Sequence, residues 1–494
     1  MSADLDQISK QLALIEQKML QEEQQKADLL HQLHPDNFHS ARNFIHYLVL
    51  RSEDIRGLQD LLHINGLSSL ASSESHVHCQ LQAIRQILSH QYKKEELDPC
   101  TYSFSMDRLE EKSNFLFGAK SEPKIPSIMV TFDSGFAVNY ALIKSLLQNG
   151  MNVARINCAH DDEATWSKMI HKLKKASQNS GISCKIYMDL AGPKIRTIIL
   201  GKGKDKGKVK IKEGQLIWLA ESMAGFTKDE VVISPNEHGI LSMLKLGERV
   251  YIDDAVIRAV VEKVKKNAVG IRITRDSSKT GQIKSEKGIN FPDSEIDIPA
   301  LTAYDRKCLP FVCANADLVG FSFVKNPQDL SELRSLLHEI SEETPAIILK
   351  IETPDAVKNL PMLLMEGMKM KGFGVMIARG DLAVEIGFER LGEIQEQILW
   401  ICEAAHVPVI WATQVLESLN KSGLASRSEI TDAGLSAHAD CVMLNKGDHI
   451  IKVLKTLKDI LHRSVTHRNK KRFTFRKLKI AERFFQLVEN DKGT

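Results

Sequence analysis

Along the first 120 residues the apolar positions fall at helical spacing. Leu5, Ile8, Leu12, Ile15 and Met19 recur every three or four residues, the stripe of an amphipathic helix. Glu22 and Lys26 take the next two positions of that seam, Leu29 and Leu33 resume it, and Pro35 ends it. Two clean heptads are fewer than the three or four a coiled coil needs. The stripe therefore predicts a helix packed on the rest of the protein or on a second subunit. Asn43–Leu50 and Leu58–Ile64 continue the helical texture. From Pro126 the pattern changes to short apolar runs alternating with helical ones: Ile128–Thr131, a helix near 141–149, Val153–Ile156, a helix over Asp162–Ala176, then Ile186–Leu190. Such alternation predicts parallel βαβ units. Between residues 194 and 293 the rhythm breaks into short strands separated by turn residues, among them Val209–Ile211, Leu216–Leu219, Arg249–Ile252, Ile257–Val264 and Val269–Thr274. They predict an inserted all-β domain, a small β-barrel. From Asp297 the alternation returns, with strands at Leu318–Phe323, Ala346–Ile351, Phe373–Ile377, Val409–Ala412 and Cys441–Leu444.

The two alternating blocks together approach the ~250 residues of a (β/α)8 barrel. The predicted class is α/β: a TIM barrel built from 121–193 and 294–465, an insert at 194–293, an N-terminal α-helical domain at 1–120 and a basic tail at 466–494. That tail, opening His467-Arg468-Asn469-Lys470-Lys471-Arg472, and the turn Gly201-Lys202-Gly203-Lys204 both read as solvated charge.

Composition narrows the function. Lys and Arg number 66 against 63 Asp and Glu, a net charge of +3 over 494 residues, which argues against nucleic acid as a partner. No apolar run reaches the ~18 residues of a membrane span, and the acidic start Met1-Ser2-Ala3-Asp4 lacks a signal peptide's apolar segment. The eight cysteines are scattered with no Cys-x-x-Cys pair, the usage of a reducing cytoplasm. A zinc site is not expected without paired ligands at short spacing.

Active sites of such barrels lie at the C-terminal ends of the strands, so charges that end apolar runs are the candidates. Ala346–Ile351 ends in Lys350, one spacer and Glu352, which alternation puts on one face. They are either site residues at the mouth or a structural ion pair. Val375-Met376-Ile377-Ala378-Arg379-Gly380-Asp381 repeats the design on the next strand: Gly380 permits a tight turn with exposed N–H groups. Asp381 beside Glu352 suits Mg2+, which is held by one or two carboxylates plus phosphates; a solvated turn is the alternative. Ile410-Trp411-Ala412-Thr413-Gln414 offers either a hydroxyl and an anion site or an ordinary helix N-cap. Arg155, in Val153-Ala154-Arg155-Ile156-Asn157-Cys158-Ala159-His160, can clamp a phosphate or carboxylate bidentately or form a surface ion pair. The next strand end, Met188 to Thr197, carries Asp189, Lys194 and Arg196.

In this order, MNVARIN…H (151–160), MDLAGPKIRT (188–197), ERVYIDD (248–254), DIPALTAYD (297–305), SFVKN (322–326), LKIET (349–353), ARGDLAVEI (378–386), ATQVLES (412–418) and SRSEITD (426–432) resemble pyruvate kinase. The likeness runs from about Ile128 to Leu461, and the β insert falls where that family places its mobile lid. The resemblance implies a cytoplasmic, glycolytic enzyme converting phosphoenolpyruvate and ADP to pyruvate and ATP with Mg2+. It implies catalysis by Lys350, Arg155 and Thr413, with phosphoenolpyruvate contacted by Arg155, Lys350, Gly380, Asp381 and Thr413. Glu352 and Asp381 would be the metal ligands, and Asn157, His160 and Arg196 would lie near the nucleotide. A homo-oligomer, such as a dimer, is the expected assembly.

Departures from the family carry expectations of their own. Asp133 replaces a glycine near the nucleotide phosphates. The monovalent-cation site keeps Asn157 and Asp189 but has Ala159 and Leu190 in place of hydroxyl residues. Lys194 stands where K+-dependent members carry Glu, so activity without K+ is expected. The lid lysine near the nucleotide aligns with Ser242, and the family's Ser-Gly-Glu-Thr is Asn445-Lys446-Gly447-Asp448. The family's C-terminal regulatory domain is expected to be missing, since the chain runs only from Leu461 to Thr494. Two other functions fit these departures: another Mg2+-dependent barrel enzyme of phosphoenolpyruvate or pyruvate, and a non-catalytic regulatory or scaffold protein using the N-terminal helices. The retained charged set argues against the latter, because buried charges cost free energy to keep.

Overall fold

The computed structural model describes residues 2–120, 122–278, 280–466, 468–470 and 472–473. Eight parallel strands close into a barrel: β1 (Ser127–Phe132), β2 (Val153–Asn157), β3 (Lys185–Asp189), β4 (Leu318–Phe321), β5 (Ala346–Ile351), β6 (Phe373–Ala378), β7 (Val409–Ala412) and β8 (Cys441–Leu444). Each pairs with its neighbour in sequence, and β8 returns to β1 through Ser127 opposite Cys441. The strands read as nearly unbroken apolar runs because both their faces are buried. Outward residues such as Ile128 and Val130 pack under the helical jacket, while inward ones such as Met129, Val153, Ile348, Met376 and Ile410 form a separate interior cluster.

The N-terminal helices close the floor of that interior. Helix Tyr102–Phe117 is capped by Thr101, whose hydroxyl accepts from Phe104 N. Its last two residues, Leu116 and Phe117, belong to the inward barrel cluster. The start of β6 fits around this plug: a Cβ on Gly374 would meet Leu116 Cδ1 at 3.1 Å, and one on Gly372 would meet the Phe115 ring at 2.6 Å. The first helix, Ser2–Gln25, buries the predicted seam, with Ile8, Leu12 and Met19 fully enclosed. It packs on Phe38–Ser52, Arg56–Ile64 and Val77–Leu88, so this seam is satisfied within the chain.

Polar groups fasten the helices to the barrel's lower loops. Asn37 Nδ2 donates to the carbonyls of Met368 (2.9 Å) and Met370 (2.8 Å), just before β6. Asn43 Nδ2 donates to Ala404 O at 2.8 Å, and the buried His406 ring bonds Ser40 Oγ (2.9 Å) and Ser75 O (2.8 Å) before β7. Buried loop carbonyls are thus paired rather than orphaned. Among the described residues no helix is long and apolar enough to cross a membrane.

Two expectations are corrected. The insert is not a closed barrel. Its main sheet has seven strands, from Ile289–Asn290 at one edge to Thr197–Ile199 at the other. The edges meet only through an isolated Arg196–Gly288 bridge and a few bonds such as Thr197 N to Lys287 O (2.8 Å), because both edge strands are too short for a ladder. The basic tail is not simply solvated either. Lys470 Nζ lies 2.7 Å from Asp440 Oδ1, just before β8, and Arg472 lies over the ring of Tyr102 on the N-terminal helices. Residues 474–494 lie outside the described residues.

Candidate active site

The alternation that fills the barrel with apolar side chains brings polar ones to its mouth. On β3 the inward positions are Tyr187 and then Asp189; on β5 they are Ile348 and then Lys350, with Glu352 next. Lys350 Nζ is held by Ser322 Oγ at 2.6 Å, Glu352 Oε1 at 3.0 Å and Asp189 Oδ1 at 3.3 Å. Asp189 Oδ2 takes Arg155 Nε at 3.0 Å, and Arg155 Nη1 donates to Thr131 Oγ1 at 3.1 Å. Two cations and two carboxylates therefore balance in one buried cluster, with Asp189 fully enclosed and Glu352 1 % exposed.

Burial works against the charged form of Lys350, but Asp189 and Glu352 outweigh it, so its pKa lies above the ordinary lysine value and the ammonium persists. Burial also opposes the Asp189 anion, and Lys350 and Arg155 reverse this, holding its pKa below the usual range. Glu352 is pushed up, first by burial and further by the Asp381 carboxylate, against the pull of Lys350.

The RGD segment differs from its expected form. It is not a free turn but the first turn of helix Arg379–Ile386. Gly380 N–H is not open, because it donates to Thr413 Oγ1 at 2.8 Å. Thr413 in turn is no helix N-cap: the next helix begins at Glu417, and Thr413, Gln414 and Leu416 hold left-handed φ values of 66°, 55° and 51°. Such conformations cost energy in non-glycine residues and persist only where surroundings enforce them. Arg379 enforces this one. It donates to Ala412 O (3.0 Å) and Thr413 O (2.6 Å), lies 4.6 Å over the Trp411 ring and pairs with Asp432.

Asp381 Oδ1 is 2.6 Å from Lys194 Nζ, at the hinge into the inserted sheet. A second hinge bond runs from Asn290 Nδ2 to Glu385 Oε1 at 2.7 Å. Among the described residues no group of three or more His, Cys, Asp or Glu converges as a metal site. Two hard carboxylates whose charges oppose each other do fit Mg2+, which completes its shell from substrate oxygens and water.

Between insert and barrel lies a cavity of about 550 Å³ lined by His160, Lys194, Arg196, Asn236, Glu286 and Tyr304, among others. His160 is shifted down, chiefly by burial and then by Lys446 and Arg196. Arg196 Nη1 donates to Glu286 O at 3.0 Å, and Asn157 Oδ1 accepts from Ala159 N at 3.1 Å. Asp133 turns on its own loop, accepting from Gly135 N at 3.0 Å. Ser242 is exposed and bonds Gly239 O at 2.7 Å.

The profile of the pyruvate kinase barrel domain matches residues 127–449. The chain belongs to the pyruvate kinase family. It is 31% identical over 326 residues to a pyruvate kinase of Geobacillus stearothermophilus, covering 65% of this chain and 53% of that one. Over 312 residues it is 30% identical to pyruvate kinase PKLR of Rattus norvegicus, covering 61% and 53%. A pyruvate kinase of Staphylococcus saprophyticus is 29% identical over 326 residues, covering 65% and 53%. The chain spans about half the length of these curated relatives. Against this pyruvate kinase frame, the residues passed over in the sequence are Ser322, Thr131, Arg379 and Tyr187. Ser322 opens the quoted SFVKN segment and was open to discovery there. Arg379 matters through contacts across to the end of β7, which no local pattern announces, and Tyr187 through its bond to Asp189, two positions on along β3.

Proposed function

We propose that this chain is a phosphotransferase that moves the phosphoryl group of phosphoenolpyruvate to ADP, giving pyruvate and ATP. The observation that carries the reading is the Lys350 ammonium, buried at the barrel mouth with Asp189, Glu352 and Ser322 around it. Phosphoryl transfer calls for positioning and for neutralising charge on the moving group, not for a covalent nucleophile. Lys350 and Arg155 would meet that charge, and neither needs to gain or lose a proton. Glu352 and Asp381 would hold Mg2+, which when bound neutralises phosphoryl oxygens and orients them. Thr413, pinned by Arg379 and Gly380, presents its hydroxyl beside the same mouth. His160 and Arg196, in the cleft under the inserted sheet, supply a neutral ring and a cation for the nucleotide.

Lys194 supports a K+-independent form of the reaction. Its ammonium already pairs with Asp381, where the family's K+-dependent members carry a glutamate instead. The test is turnover by the purified chain with phosphoenolpyruvate, ADP and Mg2+, following pyruvate and ATP separately. ATP formation matching pyruvate supports the proposal. Phosphoenolpyruvate loss without ATP would instead indicate another barrel chemistry, and no turnover a non-catalytic role.

A further inference from the structure

Strand β3 carries a buried polar residue that the reaction as described leaves unused. Tyr187 is fully buried on the inward face, one alternate position below Asp189. Its hydroxyl donates to Asp189 Oδ1 at 3.1 Å. The same oxygen faces Lys350 Nζ at 3.3 Å, while the other oxygen holds Arg155. Tyr187 thus stands at the junction of two layers. Its ring belongs to the apolar interior with Leu318, Ile348, Met376 and the floor residue Phe117, and its hydroxyl reaches the charged cluster.

Across the sheet, β4 places Gly320 opposite Asp189. A Cβ there would stand 2.0 Å from the Tyr187 hydroxyl oxygen and 2.3 Å from Asp189 Oδ1. The phenol head fits only because position 320 lacks a side chain. A phenol is an uncharged donor with a single proton to give, and that matters here. Lys350 and Arg155 also hold Asp189, but both must turn toward an anionic substrate, whereas a phenol has no such competing claim.

We infer that Tyr187 is a positioning residue: its hydroxyl, admitted by Gly320, anchors Asp189 Oδ1 and so holds Arg155 and Lys350 in place for phosphoryl transfer. The inference rests on the proposed reaction. A neutral scaffold role would need only the ring, not the hydroxyl.

The test is Tyr187→Phe, which keeps the ring and removes one oxygen, measured beside the wild type and Lys350→Met. A hydrogen bond to a charged group corresponds to about a tenfold to hundredfold change. The expected result is a kcat loss in that range, with KM for phosphoenolpyruvate within about threefold and the thermal midpoint nearly unchanged. Gly320→Ala, whose Cβ would collide with both the Tyr187 hydroxyl and Asp189 Oδ1, should lower kcat at least as far and lower the thermal midpoint too, and its kcat serves as the readout if Tyr187→Phe folds poorly. Wild-type kcat in either folded variant, or a loss confined to KM, overturns the inference while leaving the proposed reaction standing. A wild type without turnover fails the reaction itself, and the inference with it.

Discussion

Lys350 and Glu352 stand two positions apart on one strand, and the two-residue period alone puts both on the inner face. That is why they were legible in the sequence. What was not legible is the partner on the neighbouring strand. The same period puts Tyr187 on the face of Asp189, but the room for its hydroxyl comes from Gly320, which only the register of β3 and β4 sets opposite. Thr413 stayed open between a site hydroxyl and a helix cap because no local signal marks a left-handed threonine; Arg379, thirty-odd positions away, enforces it. At this scale the Lys194–Asp381 pair carries a prediction. Turnover should be equal in K+-containing and K+-free buffer, because the chain supplies its own cation. Lys194→Gln should lower turnover in both buffers, with no rescue by K+, since Ala159 and Leu190 offer that ion no hydroxyl. Strict K+ dependence of the wild type would sink this account.

At the scale of elements, the helical stripe showed that one face of the first helix is buried but not against what. The structure gives the answer: the N-terminal helices pack on each other, and helix Tyr102–Phe117 plugs the barrel floor. Truncating a fully buried aromatic there costs about 3–5 kcal/mol. Phe117→Ala should therefore lower the urea midpoint substantially, whereas Ala at the exposed Ile64 should not. The same interface sets an acid limit on stability. Burial, and then the neighbouring Lys112, hold His406 at about 3, and burial holds His76 at about 4, against an ordinary 6.5. The unfolded chain thus takes up these protons first as pH falls. Their contribution is complete above about pH 6.5 and erodes below it, by about 2 kcal/mol at pH 5 from His406 alone. Glu23, where burial is outweighed by His46 and Arg42, is lowered to about 2 from 4.5, so its share is lost between those values, in the same direction. Urea titrations at pH 7 and pH 5 should show this slope, and His406→Gln should flatten it. A stability that is level from pH 7 to 5 would contradict the assignment.

For the whole molecule, the barrel was readable because each strand is a short apolar run ended by charge, and the insert because its strands follow one another without helices. The insert's edges were not readable, since a two-residue strand at one margin decides whether the sheet closes. The two domains meet through Lys194–Asp381 and Asn290–Glu385, so the insert is tied at its hinge to the helix that carries Asp381. All these features converge on a single claim, that this barrel mouth transfers a phosphoryl group. The most direct measurement is coupled production of pyruvate and ATP from phosphoenolpyruvate and ADP with Mg2+, by the wild type and by Lys350→Met. The account predicts one ATP per pyruvate in the wild type and a loss of at least about a hundredfold in kcat for the variant, the scale of a lost electrostatic donor. Equal rates in the two proteins, or no ATP from the wild type, would contradict it.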